Sequence, residues 1–149
     1  MKSYSLALRN RFKRMIAGML AGVVLGTLVL GLGGRLLMRI VALIGGVNPG
    51  ASLGGTLEVL AFGSLTGTIA GILSTIIQGI FPKNPWLKGA TIGLLLYGFL
   101  LLIPFDSKLA AKGFPQLQSL IHVLFGSVCL VYGLLVTPAI NSIEKRLRS

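Results

Sequence analysis

Apolar residues along the chain fall into four long blocks, at about residues 15–34, 56–81, 86–105 and 117–140, separated by short stretches rich in charge, glycine and proline. Each block is close to the roughly 20 residues that carry an α-helix across a hydrocarbon core, and none shows the strict alternation of a half-buried strand. The pattern predicts an all-α integral membrane bundle of four transmembrane helices in two hairpins. A basic arm (1–14) precedes the membrane domain (15–141), and a charged tail (142–149) follows it.

The breaks between blocks have their own chemistry. Arg35 to Ile44 is apolar but carries Arg35 and Arg39 four residues apart, hence on one helical face. This stretch either prolongs the first helix out of the membrane or bends at Gly33-Gly34 into a short interfacial helix. Gly45 to Gly55, with Asn48-Pro49-Gly50 inside it, reads as a turn. Pro82-Lys83-Asn84-Pro85 forces an antiparallel return, and Trp86 and Lys88 suit the headgroup level at the start of the third span. Asp106 to Pro115 forms the last loop, and Pro138 lies near the end of the fourth span, where a helix tolerates a kink. The first block exceeds the apolar core of a secretory signal, and Arg35 stands where a cleavage site would be, so it is expected to be a retained span.

Composition agrees with lipid as the solvent: 54% of the 149 residues are hydrophobic and 11% charged, against roughly 25% charged in a soluble domain. The net charge of +11 rests on 14 Lys and Arg against Glu58, Asp106 and Glu144. Most of those cations flank apolar blocks, where anionic headgroups are the natural counter-charge, and no soluble basic face exists to suggest nucleic acid. In the arm, Lys2, Arg9, Arg11, Lys13 and Arg14 alternate with Tyr4, Leu6, Leu8 and Phe12, a pattern that favours the interface of an anionic leaflet. Ten of the 14 cations fall on the side of the two termini and four on the other. The positive-inside rule therefore puts both termini in the cytoplasm, in a bacterial cytoplasmic or thylakoid-type membrane. Cys129 stands inside an apolar run and reads as a buried structural thiol, without a disulfide.

Glycine recurs at four-residue spacing within the spans: Gly18, Gly22 and Gly26 in the first, Gly63, Gly67 and Gly71 in the second, Gly89 and Gly93 in the third. Each set lines one face and admits a neighbouring backbone, the small-xxx-small contact of membrane helices. Such faces either pack the two hairpins within the chain or join one copy to another. Gly22, Gly26 and Gly31 also share their spacing with Gly89, Gly93 and Gly98, and Phe62-Gly63-Ser64 recurs as Phe125-Gly126-Ser127. A parallel repeat of two hairpins would produce both matches.

Ionisable groups near a bilayer need a partner or an interface. Arg35, Arg39, Glu58, Asp106 and His122 all map to the ends of the spans remote from the termini. One reading is an ion pair between Glu58 and Arg35 or Arg39 that locks the first hairpin. The other is a positive pocket for an anion or a lipid headgroup, in which Glu58 holds the arginines and His122 titrates near neutral pH. No cofactor, metal set or catalytic centre is indicated: Ser52, Ser64, Ser74 and Ser127 lack a His and carboxylate at a motif spacing, and the glycine-rich turns lack the lysine of a phosphate loop.

Gly34-Arg35-Leu36-Leu37-Met38-Arg39, followed by Ser52-Leu53-Gly54-Gly55-Thr56-Leu57 and then the glycine face, resembles an uncharacterised family of small four-span bacterial membrane proteins. That resemblance implies no activity. The same region is similar, more loosely, to the small dimeric fluoride channels, through Gly55-Thr56-Leu57-Glu58-Val59 and Gly63-Ser64. Leu60 and Leu65 replace that family's asparagine and phenylalanine, and the third span lacks its Thr-Thr-Phe-Ser signature, so no fluoride site carries over. The sequence is thus expected to encode a non-enzymatic membrane protein that acts through helix packing, as a homo-oligomer or a small subunit of a larger complex. The alternative is a small transporter or channel for an anion or lipid headgroup, using Arg35, Arg39 and Glu58.

Overall fold

A computed structural model describes residues 2–46, 52–77, 84–102 and 115–148. The described residues are helical apart from short caps, with no strand among them. Helix α1 (Lys2–Leu25) passes through a π-helical segment (Gly26–Leu32) into α2 (Gly33–Ile44), and α3 (Leu53–Ile77), α4 (Pro85–Leu102) and α5 (Pro115–Arg148) follow. Four helical stretches are long and apolar enough to cross a membrane: Arg11–Ile44, Leu53–Ile76, Pro85–Leu102 and Ser119–Leu147. With four such spans among the described residues, the chain is a polytopic membrane protein. The first helix does not bend at Gly33-Gly34; both glycines are helical, so α2 prolongs the first span.

Local chemistry sets the ends. Gly45 and Gly46 close α2, their N–H groups donating to the Val41 and Leu43 carbonyls at 2.9 and 3.1 Å. Gly46 adopts φ +66°, a left-handed position that costs glycine nothing. Ser52 caps α3: its hydroxyl oxygen accepts from the Gly55 N–H at 3.1 Å. Asn84 does the same for α4 through the Trp86 N–H at 3.2 Å, with Pro85 in the first helical position, where a missing N–H is harmless.

The π segment explains a spacing in the sequence. Glycines at 18, 22 and 26 follow one face of an α-helix, and the next α-helical position on that face would be 29 or 30. The glycine instead stands at 31. A π turn takes up one more residue, closing i→i+5 bonds, as the Gly33 N–H does on the Leu28 carbonyl. That extra residue returns Gly31 to the seam, where Gly26 and Gly31 are both buried.

Packing follows the hairpins. α1 lies along α3 and α4 along α5, and the pairs join through α1 and α5, while α3 and α4 meet only lightly. The core is thin and made of small residues where backbones approach: Ala17 and Ala21 of α1 and Ala70 of α3 meet Ile92 and Leu96 of α4 and Cys129, Tyr132, Val136 and Ile140 of α5. Cys129 is buried, as expected of a structural thiol in an apolar run.

Candidate functional site

Two regions carry the residues to which the sequence draws attention: the glycine seams inside the bundle and the charged groups at its two ends.

The first seam runs antiparallel. A Cβ built on Gly18 would reach the Gly71 carbonyl oxygen at 2.7 Å, and one on Gly63 would lie 2.5 Å from the Gly31 nitrogen. Gly22 and Gly26 would likewise collide with the Gly67 and Gly63 carbonyls. These are backbone atoms, so no rotamer change relieves the clash. The second seam sets Gly89 against the Gly133 carbonyl and Gly93 against that of Cys129, each at 2.7 Å from the added carbon. All eight glycines singled out in the sequence therefore face a neighbouring helix of the same chain, and Gly133, which their spacing did not indicate, completes the second seam.

The proposed repeat is reproduced only in part. Gly22 and Gly89 each approach a partner backbone, but Gly98 has nothing within 4 Å where Gly31 meets Leu60. Gly126 faces the Tyr97 ring, whereas its counterpart Gly63 faces Gly26 and Gly31. The second hairpin departs from the first at this point, because Tyr97 fills the place that a glycine would leave open.

One polar contact links the hairpins across the seam. Tyr132 of α5, fully buried, donates its hydroxyl to the Gly67 carbonyl at 2.6 Å. Gly67 is the residue on which Gly22 and Gly26 close, so this bond ties α5 to the crossing of α1 with α3. The sequence does offer a signal for it: a single tyrosine within the fourth span, among residues whose side chains cannot satisfy a phenol. Several other hydroxyls in the spans turn back on their own helices, Thr68 on Ser64, Ser74 on Gly71, Thr75 on Ile72 and Thr91 on Leu87, at 2.6–2.7 Å, whereas the buried Thr137 hydroxyl of α5 has no hydrogen-bond partner. The former are satisfied locally and line no polar path.

At the end remote from the termini, Arg35 and Arg39 lie on α2 and the start of α3 lies beside them. A Cβ on Gly55 would be 3.9 Å from an Arg35 guanidinium nitrogen, so this cation sits over the first turn of α3. Arg39, one turn further, is exposed. Glu58 is also exposed, and an ion pair is formed at the opposite end of the bundle, between Arg14 and Glu144. His122 is exposed on α5, at the rim of a lateral groove of about 440 Å³ between α4 and α5, whose walls include Leu94, Tyr97 and Leu130. Asp106 lies outside the described residues. Thus the structure brings Arg35 to the α3 N-terminus, leaves Glu58 open to the surroundings one turn further along α3, and sets His122 on another face.

The opposite end gathers both ends of the chain. Arg14 and Glu144 approach to 3.4 Å in their ion pair, and Lys13 donates to the Leu147 carbonyl at 2.6 Å. Glu144 is buried in this contact, at 8% exposure.

Comparison with known proteins places no relative beside this arrangement: no family model, curated protein or solved structure matches the chain.

Proposed function

We propose that this is a non-enzymatic membrane protein that works by association, as a homo-oligomer or as a small subunit of a larger membrane complex. It lies in a bacterial cytoplasmic or thylakoid-type membrane with both termini in the cytoplasm. The observation that carries the reading is how little of each span the chain itself covers. Between 22% and 33% of the apolar stretch of each span is buried, and the uncovered faces are built of Leu65, Ile76, Leu94, Phe99 and similar side chains. The glycine seams are consumed within the chain, so the association surface is one of these outer apolar faces. Anionic headgroups at the basic arm are the expected lipid partners.

A second reading has one observation in its favour: the Arg35 guanidinium beside the first turn of α3 concentrates positive potential at the remote end, with Arg39 one turn away on the same helix. A small transporter or channel for an anion or a lipid headgroup would use that end, with Glu58 and the arginines at its mouth. The locally satisfied hydroxyls in the spans favour the first reading.

Native mass spectrometry of the gently solubilised protein, with lipids and partners retained, separates the two. Recovery at a fixed copy number, or in stoichiometric complex with another membrane protein, supports association. A monomer that carries an anion or lipid lost on Arg39→Ala overturns it in favour of transport or lipid handling.

A further inference from the structure

The groove between α4 and α5 opens sideways, and its polar groups are ordered along its length. His122, Gly126 and Leu130 follow one another at four-residue spacing, so they form one stripe of α5. His122 is the fourth residue of the span Ser119–Leu147, and Gly126 lies about 6 Å deeper along the helix. The Tyr97 ring of α4 stands at the level of Gly126: a Cβ built there would meet its ring carbons at 3.5–3.7 Å, the hydroxyl-bearing Cζ among them. Leu94 and Leu130 continue the groove to the level at which Gly93 backs on Cys129. The polar end of the groove thus lies toward the end remote from the termini, and its apolar end toward the middle of the bilayer.

Two donors in this apolar slot lack an acceptor. Ser127 donates to the Leu124 carbonyl at 2.7 Å and is satisfied. The Tyr97 phenol and the His122 imidazole have no hydrogen-bond partner among the described residues. Water is scarce at the depth of Tyr97, so its phenol takes a partner from whatever fills the groove. The lining residues include no Lys or Arg, hence no fixed cation to hold a phosphate. A phenol O–H on one wall and an imidazole N–H on the other, about one turn apart in depth, fit a neutral head with acceptors at two opposite ends. An apolar chain attached to that head would follow Leu94 and Leu130.

We propose that the α4–α5 groove binds a prenyl quinone. Its two carbonyl oxygens accept from Tyr97 and His122, and its chain runs toward Leu94 and Leu130, with the remainder in lipid. The groove volume of about 440 Å³ falls within the roughly 300–1,000 Å³ of small-molecule sites. The inference goes beyond the association reading and does not depend on it.

The full-length protein in phosphatidylcholine nanodiscs is equilibrated with a decyl-chain ubiquinone analogue, and the retained quinone is counted against empty nanodiscs. Saturable retention of a single quinone per chain is expected, and decylbenzene, which has ring and chain but no carbonyl, should not displace it. Tyr97→Phe and His122→Leu should each weaken binding about threefold to tenfold, as the loss of one hydrogen bond does. His122→Gln keeps a donor and should restore binding, while Ser127→Ala should leave it unchanged. Far-ultraviolet circular dichroism verifies that each variant keeps its helices. Retention no higher than in empty nanodiscs overturns the proposal, as does retention that Tyr97→Phe and His122→Leu leave unchanged. Displacement by decylbenzene would make the groove a berth for any apolar chain, and displacement by phosphatidylglycerol would give it to a phospholipid; either overturns the quinone assignment. Native mass spectrometry of the same samples reads copy number, so a monomer that binds quinone refutes association alone, and an oligomer that excludes quinone refutes this site alone.

Discussion

Replacing Tyr132 by Phe removes one hydroxyl and leaves the ring, so it isolates the bond to the Gly67 carbonyl. Hydrogen bonds between membrane helices are worth about 0.6 kcal/mol on average and up to about 1.7. The Tyr132 side chain is fully buried, which argues for the upper part of that range: the variant should lose about 1 kcal/mol in a sodium dodecyl sulfate unfolding titration. An unchanged midpoint would mean that Gly67 is held by the backbone seam alone. At this scale the sequence told much about individual residues and little about their partners. Cys129 reads as a buried thiol from its apolar neighbours, and it is one. Glu58 and the arginines share a depth, yet Glu58 is exposed while Arg35 turns over Gly55. Depth fixes height in the bilayer and not direction around a helix.

Glycine spacing works at the scale of the element. Gly67→Ala should weaken the α1–α3 contact severely, by about 1–3 kcal/mol as overpacking does, since an added carbon meets Gly26 and Gly22 backbone atoms that cannot rotate away. Gly98→Ala, with nothing within 4 Å, should be neutral or stabilising by up to about 1 kcal/mol. Thermal denaturation of the two variants in the same detergent tests the contrast, and equal losses would contradict the seam. The step of five from Gly26 to Gly31 was present in the sequence and has a physical meaning, a π turn that keeps the face in line. Deleting Val29 should restore α-helical winding with the glycines four apart throughout, so that Gly31 keeps the seam and Arg35 its place over Gly55. The double substitution Arg35→Cys with Gly55→Cys, on a Cys129→Ala background, tests this with a short bismaleimide reagent. The two new thiols should be bridged about as readily in the deletion as in the full-length chain; a poor yield in the deletion would mean that the π turn does not absorb the extra residue.

For the whole molecule, four spans and their pairing into hairpins were legible, because block length counts crossings and short turns make neighbours antiparallel. Which hairpin faces meet was not. The contact of α1 with α5 rests on Ala17 and Ala21 packing in one core with Tyr132, Val136 and Ile140, a fit of shapes that no periodicity announces. Coverage adds a constraint on the assembly. Of the four spans, α4 has the smallest share of its apolar stretch buried, 22%, which makes its outer face the first candidate for association between copies. Single cysteines at Leu94 and Phe99 should therefore cross-link between copies, in a Cys129→Ala background, more efficiently than one at Leu65 on α3; the reverse order would move the interface to α3.

The clasp between Lys13 and Leu147 joins residues 134 positions apart in the chain, which makes it an event of late biogenesis. At ribosomal speeds of about 5–20 residues per second, Lys13 waits roughly 7 to 27 s for its partner to be made. During that interval the first span sits in the bilayer without the fourth. Its orientation must then be held by its own flanking cations, and the closure of α5 onto α1 comes as a final locking step. A ribosome stalled before Glu144 would leave the first hairpin inserted with Arg14 lacking the carboxylate that it meets in the finished bundle.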